Sequence, residues 1–293
     1  MDEGGLAFDL TRRAVRAVPD RLRGKTRLAR ATLRAFSKGE AAVIPDRYGK
    51  SLRLPSLQEP ISVALFAFGI YEPDTLGAIL HHLDPHGVFV DVGANVGALS
   101  LPVAACRPGA QIICIEADPE IVSLLRRNVT DNGRSNVRVV DCLAGPVDDL
   151  HVSFYRAPTA KFGMGSIGPQ FSVAPVLLAQ RPLDAILDEL TIKRVDVVKL
   201  DIEGAEVGAL QGLIRRLTSG GPPVIVFEFA DWAETRIAGQ TAGSAQEFLF
   251  SLGYSLFRLV RGGGPGERLT RPLTTGSTMI LALPPVRSVA AKD

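Results

Sequence analysis

The 293-residue chain has little of several things that would fix its class at once. Its three cysteines, Cys106, Cys114 and Cys142, form no CxxC pair and leave one over, which speaks against a disulfide framework and a cysteine-zinc site. The net charge is only +2, too small for the dense cationic surface of sequence-independent nucleic-acid binding, so no nucleic-acid partner is expected. The longest apolar run, Ile61 to Tyr71, is about half of the roughly 20 residues that span a membrane. The start, MDEGG, lacks the basic-then-apolar pattern of a secretory signal, and a reducing cytoplasm is the expected setting.

What is present is a composition 46% hydrophobic, ample for one principal globular domain. The basic residues are uneven: Arg12, Arg13, Arg16, Arg21, Arg23, Lys25, Arg27, Arg30 and Arg34 crowd the first segment, which Pro19 and Gly24 break into two short helices. Two readings stand for it: a foot in weak contact with an anionic membrane surface, or an accessory segment packed on the domain. Residues 41 to 60 read as a strand-and-turn connector broken by prolines. The expected division is therefore an N-terminal extension and connector over 1–60 and the main domain over 61–293.

Leu76, Ile79, Leu80 and Leu83 recur at helical spacing between Pro73 and Pro85. His81 and His82 in that helix face different sides and read as solvated or hydrogen-bonded rather than metal-binding. From residue 88 apolar strands alternate with helices: strands at 88–92, 111–117, 137–142, 195–202 and 223–229, helices at 96–106, 119–132, 205–218 and 244–253. Strands this continuously apolar need cover on both faces, which predicts an α/β fold with a doubly wound, mostly parallel sheet. A glycine-rich stretch, KFGMGSIGPQ (161–170), reads as a lid or as a plain surface loop. Two final strands, 254–260 and 277–283, lack an intervening helix and predict an antiparallel pair.

Ligands of such sheets sit beyond the carboxyl ends of the strands, beside the first. There the sequence reads VFVDVGANVG, with Asp91, Gly93, Ala94, Asn95 and Gly97 in the turn and a helix expected from about Val96 that would offer free amides. A pyrophosphate site prefers three glycines and no acid. Asp91 instead suits a cation, and S-adenosylmethionine carries both an ammonium and a sulfonium without phosphate. Glu116, ending the second strand, is placed to take both ribose hydroxyls. Asp141 and Cys142, ending the third, are placed to border adenine, although Asp141 serves equally as an ordinary strand-end acid. Lys199, Asp201, Glu203 and Glu206 crowd the end of the fourth strand; two carboxylates such as Asp201 and Glu203 at a buried strand end are costly unless they bind something, whereas Glu206 suits a helix first turn.

With DVGANVG (91–97), EADP (116–119), Asn128 and Asn132 in N-x-x-x-N, KLDIEGAE (199–206) and a following strand that reaches Glu228, the chain resembles FkbM-type S-adenosylmethionine-dependent methyltransferases from about residue 69 to 283. The resemblance implies a Rossmann-like seven-stranded sheet with an antiparallel last strand, and methyl transfer to a hydroxyl of a sugar, glycolipid or secondary metabolite. A small-molecule or glycan acceptor is the expected partner. Methyl transfer needs in-line alignment and a base for the hydroxyl, for which Asp201 is the first candidate and Glu203 the second.

No metal is required, although Asp201, Glu203, Glu228 and Asp231 could supply oxygen ligands to magnesium. Trp232, Tyr71 and Glu72 are candidate neighbours of the acceptor. The rivals are N-methylation of a small molecule, disfavoured because DIEG stands where an Asn/Asp-Pro-Pro-aromatic signal would be, and a nicotinamide oxidoreductase, disfavoured by Asp91.

Overall fold

The computed structural model describes residues 3–20, 24–36, 42–171 and 173–285. Helices α1 (Glu3–Ala17) and α2 (Lys25–Phe36) precede a hairpin of β1 (Ala42–Pro45) and β2 (Ser51–Leu54), then α3 (Pro60–Phe68) and α4 (Pro73–His82). The alternating part runs β3 (Val88–Val92), α5 (Ser100–Cys106), β4 (Gln111–Glu116), α6 (Pro119–Asp131) and β5 (Val137–Asp141). A small sheet follows, of β6 (Leu143–Ala144), β7 (Asp149–Phe154) and β8 (Val176–Arg181). The chain then returns through α7 (Leu183–Glu189), β9 (Val197–Leu200), α8 (Glu206–Gln211), α9 (Ile214–Leu217) and β10 (Val224–Ala230). It ends with α10 (Asp231–Glu234), α11 (Ser244–Ser251), β11 (Ser255–Leu259), β12 (Pro265–Arg268) and β13 (Ser277–Leu283).

The large sheet has the order β12-β11-β13-β10-β9-β3-β4-β5. From β5 to β10 the neighbours pair in parallel, while β13 is antiparallel to both β10 and β11, as the missing crossover helix predicts. This is the expected Rossmann-like sheet with one addition. The short β12 forms an eighth, edge strand within a Gly- and Pro-rich loop; proline at the start of an edge strand costs no ladder bond, so the composition hid it.

Alternate residues of each central strand enter opposite cores. Phe89, Ile112, Cys114, Val197 and Val226 face the layer holding α3 to α6, and Val90, Ile113, Val198, Ile225 and Phe227 face the other. Both layers are dry, which is why these strands read as continuous apolar runs. No single helix among the described residues is long and apolar enough to cross a membrane; α3 and α4 pass by length only together, bent by 83°.

The N-terminal helices lie in the first of those layers, with Val15, Ala29 and Leu33 buried beside Leu65 and Phe66. Several of their basic residues turn inward. Arg16 donates to the Leu65 and Phe66 carbonyls at 2.6 and 3.2 Å and also to that of Pro45, and burial pulls its guanidinium down to about 10. Lys25 donates to the Val18 carbonyl at 2.6 Å and pairs with Asp20 at 2.8 Å. Arg13, Arg27, Arg30 and Arg34 stay exposed, and Arg21 and Arg23 lie outside the described residues.

The asparagine pair of the N-x-x-x-N motif has a structural role. Asn128 accepts from the Arg53 amide at 2.8 Å and donates to the Arg53 and Val96 carbonyls at 3.1 and 2.8 Å. One turn later Asn132 accepts from the Ser51 amide at 3.1 Å and donates to the Ser51 carbonyl at 2.8 Å. The two carboxamides thus bond alternate residues of β2 as a neighbouring strand would, and clamp the hairpin and the glycine turn to α6. Asn128 is fully buried, so Asn128→Ala strands several polar groups. It is expected to cost about 2–3 kcal/mol of stability, checked by urea unfolding; a loss within error of zero would contradict the clamp.

Candidate active site

The order β4-β3-β9 reverses direction at β3, and the crevice at the carboxyl ends of β3 and β9 is where such sheets receive ligands. The chain leaves β3 through Gly93, whose φ of +78° and position leave no room for a side chain: a Cβ there would sit 2.0 Å from the Asp201 carbonyl. Gly97, at φ +86°, would press a Cβ to 2.9 Å from Leu125, so it serves the packing of α6 and lines neither ligand cavity.

The amides of this turn are not free. Gly93 and Ala94 both donate to the Ile115 carbonyl at 2.9 and 3.0 Å, Asn95 to Glu116 at 2.8 Å, Val96 to the Asn95 side chain at 2.8 Å, and Gly97 to the Ala94 carbonyl at 2.9 Å. The helix begins only at Ser100. The expectation of free amides from Val96 is therefore corrected, and the turn offers no cradle for a pyrophosphate.

Two cavities meet here. The donor cavity runs from Gly93 and Asn95 past Glu116 to walls of Cys142, Leu143, Phe154, Phe162 and Ile167. Glu116 is held by three amides: Oε2 accepts from Asn95, and Oε1 from Ala117 and Asp118 at 2.8 and 3.0 Å. Burial pushes its carboxyl up, and these donors pull it back. A carboxylate has about four acceptor sites, so roughly one is left and Glu116 can take one ribose hydroxyl rather than both. Cys142 lines the cavity, its thiol pushed up to about 12 by burial. Asp141 does not: it is exposed, pairs with Arg126 at 3.1 Å and lies outside the donor wall, because strand alternation turns it to the other side.

The second cavity is walled by acids: Glu59, Glu72, Asp91, Asp201, Glu203 and Glu228. Ala94, Tyr71 and Trp232 also line it. Gly93, Asn95, Gly163 and Asp201 line both cavities, so the two adjoin there. Lys199 supplies a buried cation. It stands beside Asp91 in the β3–β9 register and reaches Asp91 at 3.5 Å and Asp201 at 3.1 Å. Burial opposes its charge, but Asp201, Asp91 and Glu72 together hold it above the usual lysine range. The second oxygen of Asp91 accepts from the Ser100 hydroxyl.

The remaining acids respond to burial and to one another. Burial, then the charges of Asp201 and Glu206, pushes Glu203 to about 8; burial, then Asp201 and Glu203, pushes Glu228 to about 9. Glu59 is pushed by burial to about 7 while it accepts from the Ile61 amide and caps α3. Glu206 is buried and accepts from the Ile202 and Gly204 amides at 3.0 and 3.3 Å, so it braces the turn it follows. Oxygens of Asp201, Glu203 and Glu228 all lie within 4.8 Å of one another, a spacing that could hold a metal ion. Asp231, the fourth acid considered for that role, instead accepts from the Trp232 and Gly276 amides.

The glycine-rich segment closes over both cavities, with Phe162, Gly163, Met164, Ser166 and Ile167 in their walls. Arg156 ties it down through Asp118 at 2.8 Å and Glu120 at 2.8 Å, and Ser166 donates to the Glu203 carbonyl at 3.0 Å. The reading of this stretch from sequence was split; the structure places it as a roof. Glu59 and the aromatic donor wall of Phe154 and Phe162 are residues that local pattern missed. A proline-flanked acid at the start of α3 was the signal for Glu59, but nothing local brings it to the sheet end.

A family model described as the methyltransferase FkbM domain matches residues 91–256, more than half of the chain. The chain belongs to the FkbM methyltransferase family. S-adenosylmethionine is the methyl donor of this FkbM methyltransferase. The chain is 28% identical over 192 residues to the 2-O-methyltransferase NoeI of Sinorhizobium fredii, covering 59% of this chain and 77% of that protein. It is 27% identical over 142 residues to Methyltransferase 1 of Beauveria bassiana, covering 42% of this chain and 57% of the fungal one. A shorter match, 33% over 72 residues, links 25% of it to 35% of the ribosomal RNA small subunit methyltransferase G of Neisseria meningitidis.

Two outcomes follow for the FkbM methyltransferase. Glu116→Gln puts an amide NH₂ against backbone donors as well as removing charge from the donor cavity. It is expected to weaken S-adenosylmethionine binding by about 1–3 kcal/mol and to lower stability by a similar amount; unchanged affinity in calorimetry would remove Glu116 from the donor site. For pH, the folded chain keeps protons on Glu203 and Glu228 up to about 8 and about 9, whereas an unfolded glutamate loses its own near 4.5. The native state therefore binds more protons over that window, and stability of the ligand-free protein falls as pH rises from about 5 to 9. Glu228→Gln should flatten the fall in melting temperature measured by scanning calorimetry; a slope as steep as in the parent would contradict the raised carboxyl.

Proposed function

We propose that this FkbM methyltransferase transfers the methyl group of S-adenosylmethionine to a hydroxyl of a sugar, glycolipid or secondary metabolite. The observation that carries the reading is the meeting of the donor cavity and an acid-walled chamber at Asp201. Acids around an amine would stabilise its ammonium form, which has no lone pair to attack a methyl group. A hydroxyl is neutral on arrival and needs a group to receive its proton, which carboxylates provide. The similarity to NoeI, a 2-O-methyltransferase, supports the same choice of atom.

In the reaction the acceptor oxygen attacks the methyl carbon, the O–C bond forms as the C–S bond breaks, and the electron pair stays on sulfur. The hydroxyl proton passes to a carboxylate. Asp201, ion-paired with Lys199 at the junction, is the first candidate to receive it; Glu203, the second, is free to do so only above about pH 8, where it has lost its own proton. The protein aligns donor and acceptor along one line, a contribution that positioning alone makes large.

The test is incubation with methyl-labelled S-adenosylmethionine and a panel of mono- and oligosaccharides, glycolipids and aminated analogues, with the methyl position read by derivatisation and mass spectrometry. An ether methyl is expected; label recovered only on nitrogen would sink the reading. With an acceptor in hand, Asp201→Asn should lower kcat by about 10²- to 10⁴-fold while donor binding persists. Near-parental turnover would exclude Asp201 as the base.

A further inference from the structure

The acid chamber holds more carboxyl groups than its surroundings pair. Six carboxylates line it against one cation, Lys199, and that lysine is already shared by Asp91 and Asp201. The methyl donor adds an ammonium and a sulfonium but also its own carboxylate. Other acids of the region have backbone employment, as Glu59 does with Ile61 and Glu206 with Ile202 and Gly204. Glu228 has no hydrogen bond or ion pair within the described residues. An independent sign comes from single atoms. Glu203 Oε2 and Glu72 Oε2 are buried without a hydrogen-bond partner, whereas Asp91 Oδ1 has the Lys199 ammonium at 3.5 Å. Unanswered lone pairs on desolvated carboxyl groups are costly, and two of them edge one chamber.

We propose that a divalent cation with a preference for oxygen ligands, of the magnesium, manganese or calcium kind, binds between Asp201, Glu203 and Glu228 and receives the acceptor oxygen. The three carboxylates come from the end of β9, the turn after it and the neighbouring β10, so the sheet itself sets their spacing. Their oxygens lie within 4.8 Å of one another. Oxygens within that reach of one another can close on one ion at the roughly 2.0–2.6 Å metal–oxygen distances of magnesium and calcium. Hard carboxylate oxygens and no sulfur or imidazole favour these ions over zinc or copper.

The role of the ion rests on the hydroxyl-transfer reading above. An acid-walled chamber by itself opposes the negative charge that grows on the acceptor oxygen as its proton leaves. A bound dication reverses that field and lowers the hydroxyl pKa. The bonds made and broken are unchanged: O–C forms, C–S breaks with its pair to sulfur, and the proton leaves to a carboxylate or to solvent.

Trp232, the only tryptophan in the chain, lines the same chamber and makes the ion directly observable. Terbium(III) added to the full chain and excited through the tryptophan band should give saturable emission that calcium or magnesium displaces. Glu228→Gln and Asp201→Asn should each weaken terbium binding at least tenfold, and Asp231→Asn, beside the tryptophan but outside the cluster, should leave it within about twofold. Saturating calcium should also raise the melting temperature at alkaline pH in the parent and not in Glu228→Gln. Absence of saturable emission, or emission undiminished in both cluster variants, overturns the proposal when calorimetry shows that the same preparations still bind S-adenosylmethionine. Loss of donor binding in the parent would instead count against the methyl-transfer site.

Discussion

The site depends on one buried ammonium. Lys199 lies between Asp91, from the strand that starts the glycine turn, and Asp201, from the strand that starts the acidic turn. Two parallel strands bring these residues side by side, and period-two alternation puts Lys199 and Asp201 on one face. Without the lysine, two carboxylates would face each other at a dry strand end, where neither hydration nor amides relieve them. With it, the β3 and β9 ends are locked in register, Gly93 can approach the Asp201 carbonyl, and both ligand cavities share one wall. The charge that fixes the backbone also lines the acid chamber.

Much of the sheet was legible in the sequence, because strands covered on both faces leave unbroken apolar runs and missing helices betray antiparallel pairs. The residues that follow a strand directly were legible too: Gly93, Asn95, Glu116, Cys142, Asp201 and Glu203 all reach a cavity wall. Asp141 was misleading because a strand end has two faces, and one residue of register sent its carboxylate to Arg126. The turn amides were misleading for another reason. Glycine spacing reports that a chain can turn, not which acceptors will consume its N–H groups, and Ile115 and Glu116 consume them here.

Long-range placement was not legible. Glu59 belongs to a helix start far upstream of the sheet, and only the packing of α3 over its first face carries it to the acid chamber, where it joins Tyr71 and Glu72, which the sequence had put forward. The same holds for the asparagines of α6. As a motif they look like part of the ligand machinery; as side chains they imitate a β-strand toward Ser51 and Arg53. A pattern shared with a family can therefore mark a joint as readily as a site.

The roof segment has a bearing on the order of events. Gly163 forms part of both cavity walls, and the segment that carries it is anchored by Arg156 at the start of α6. A single panel that covers two rooms cannot be lifted for one occupant alone. A shift of Gly163 therefore reshapes both cavities at once.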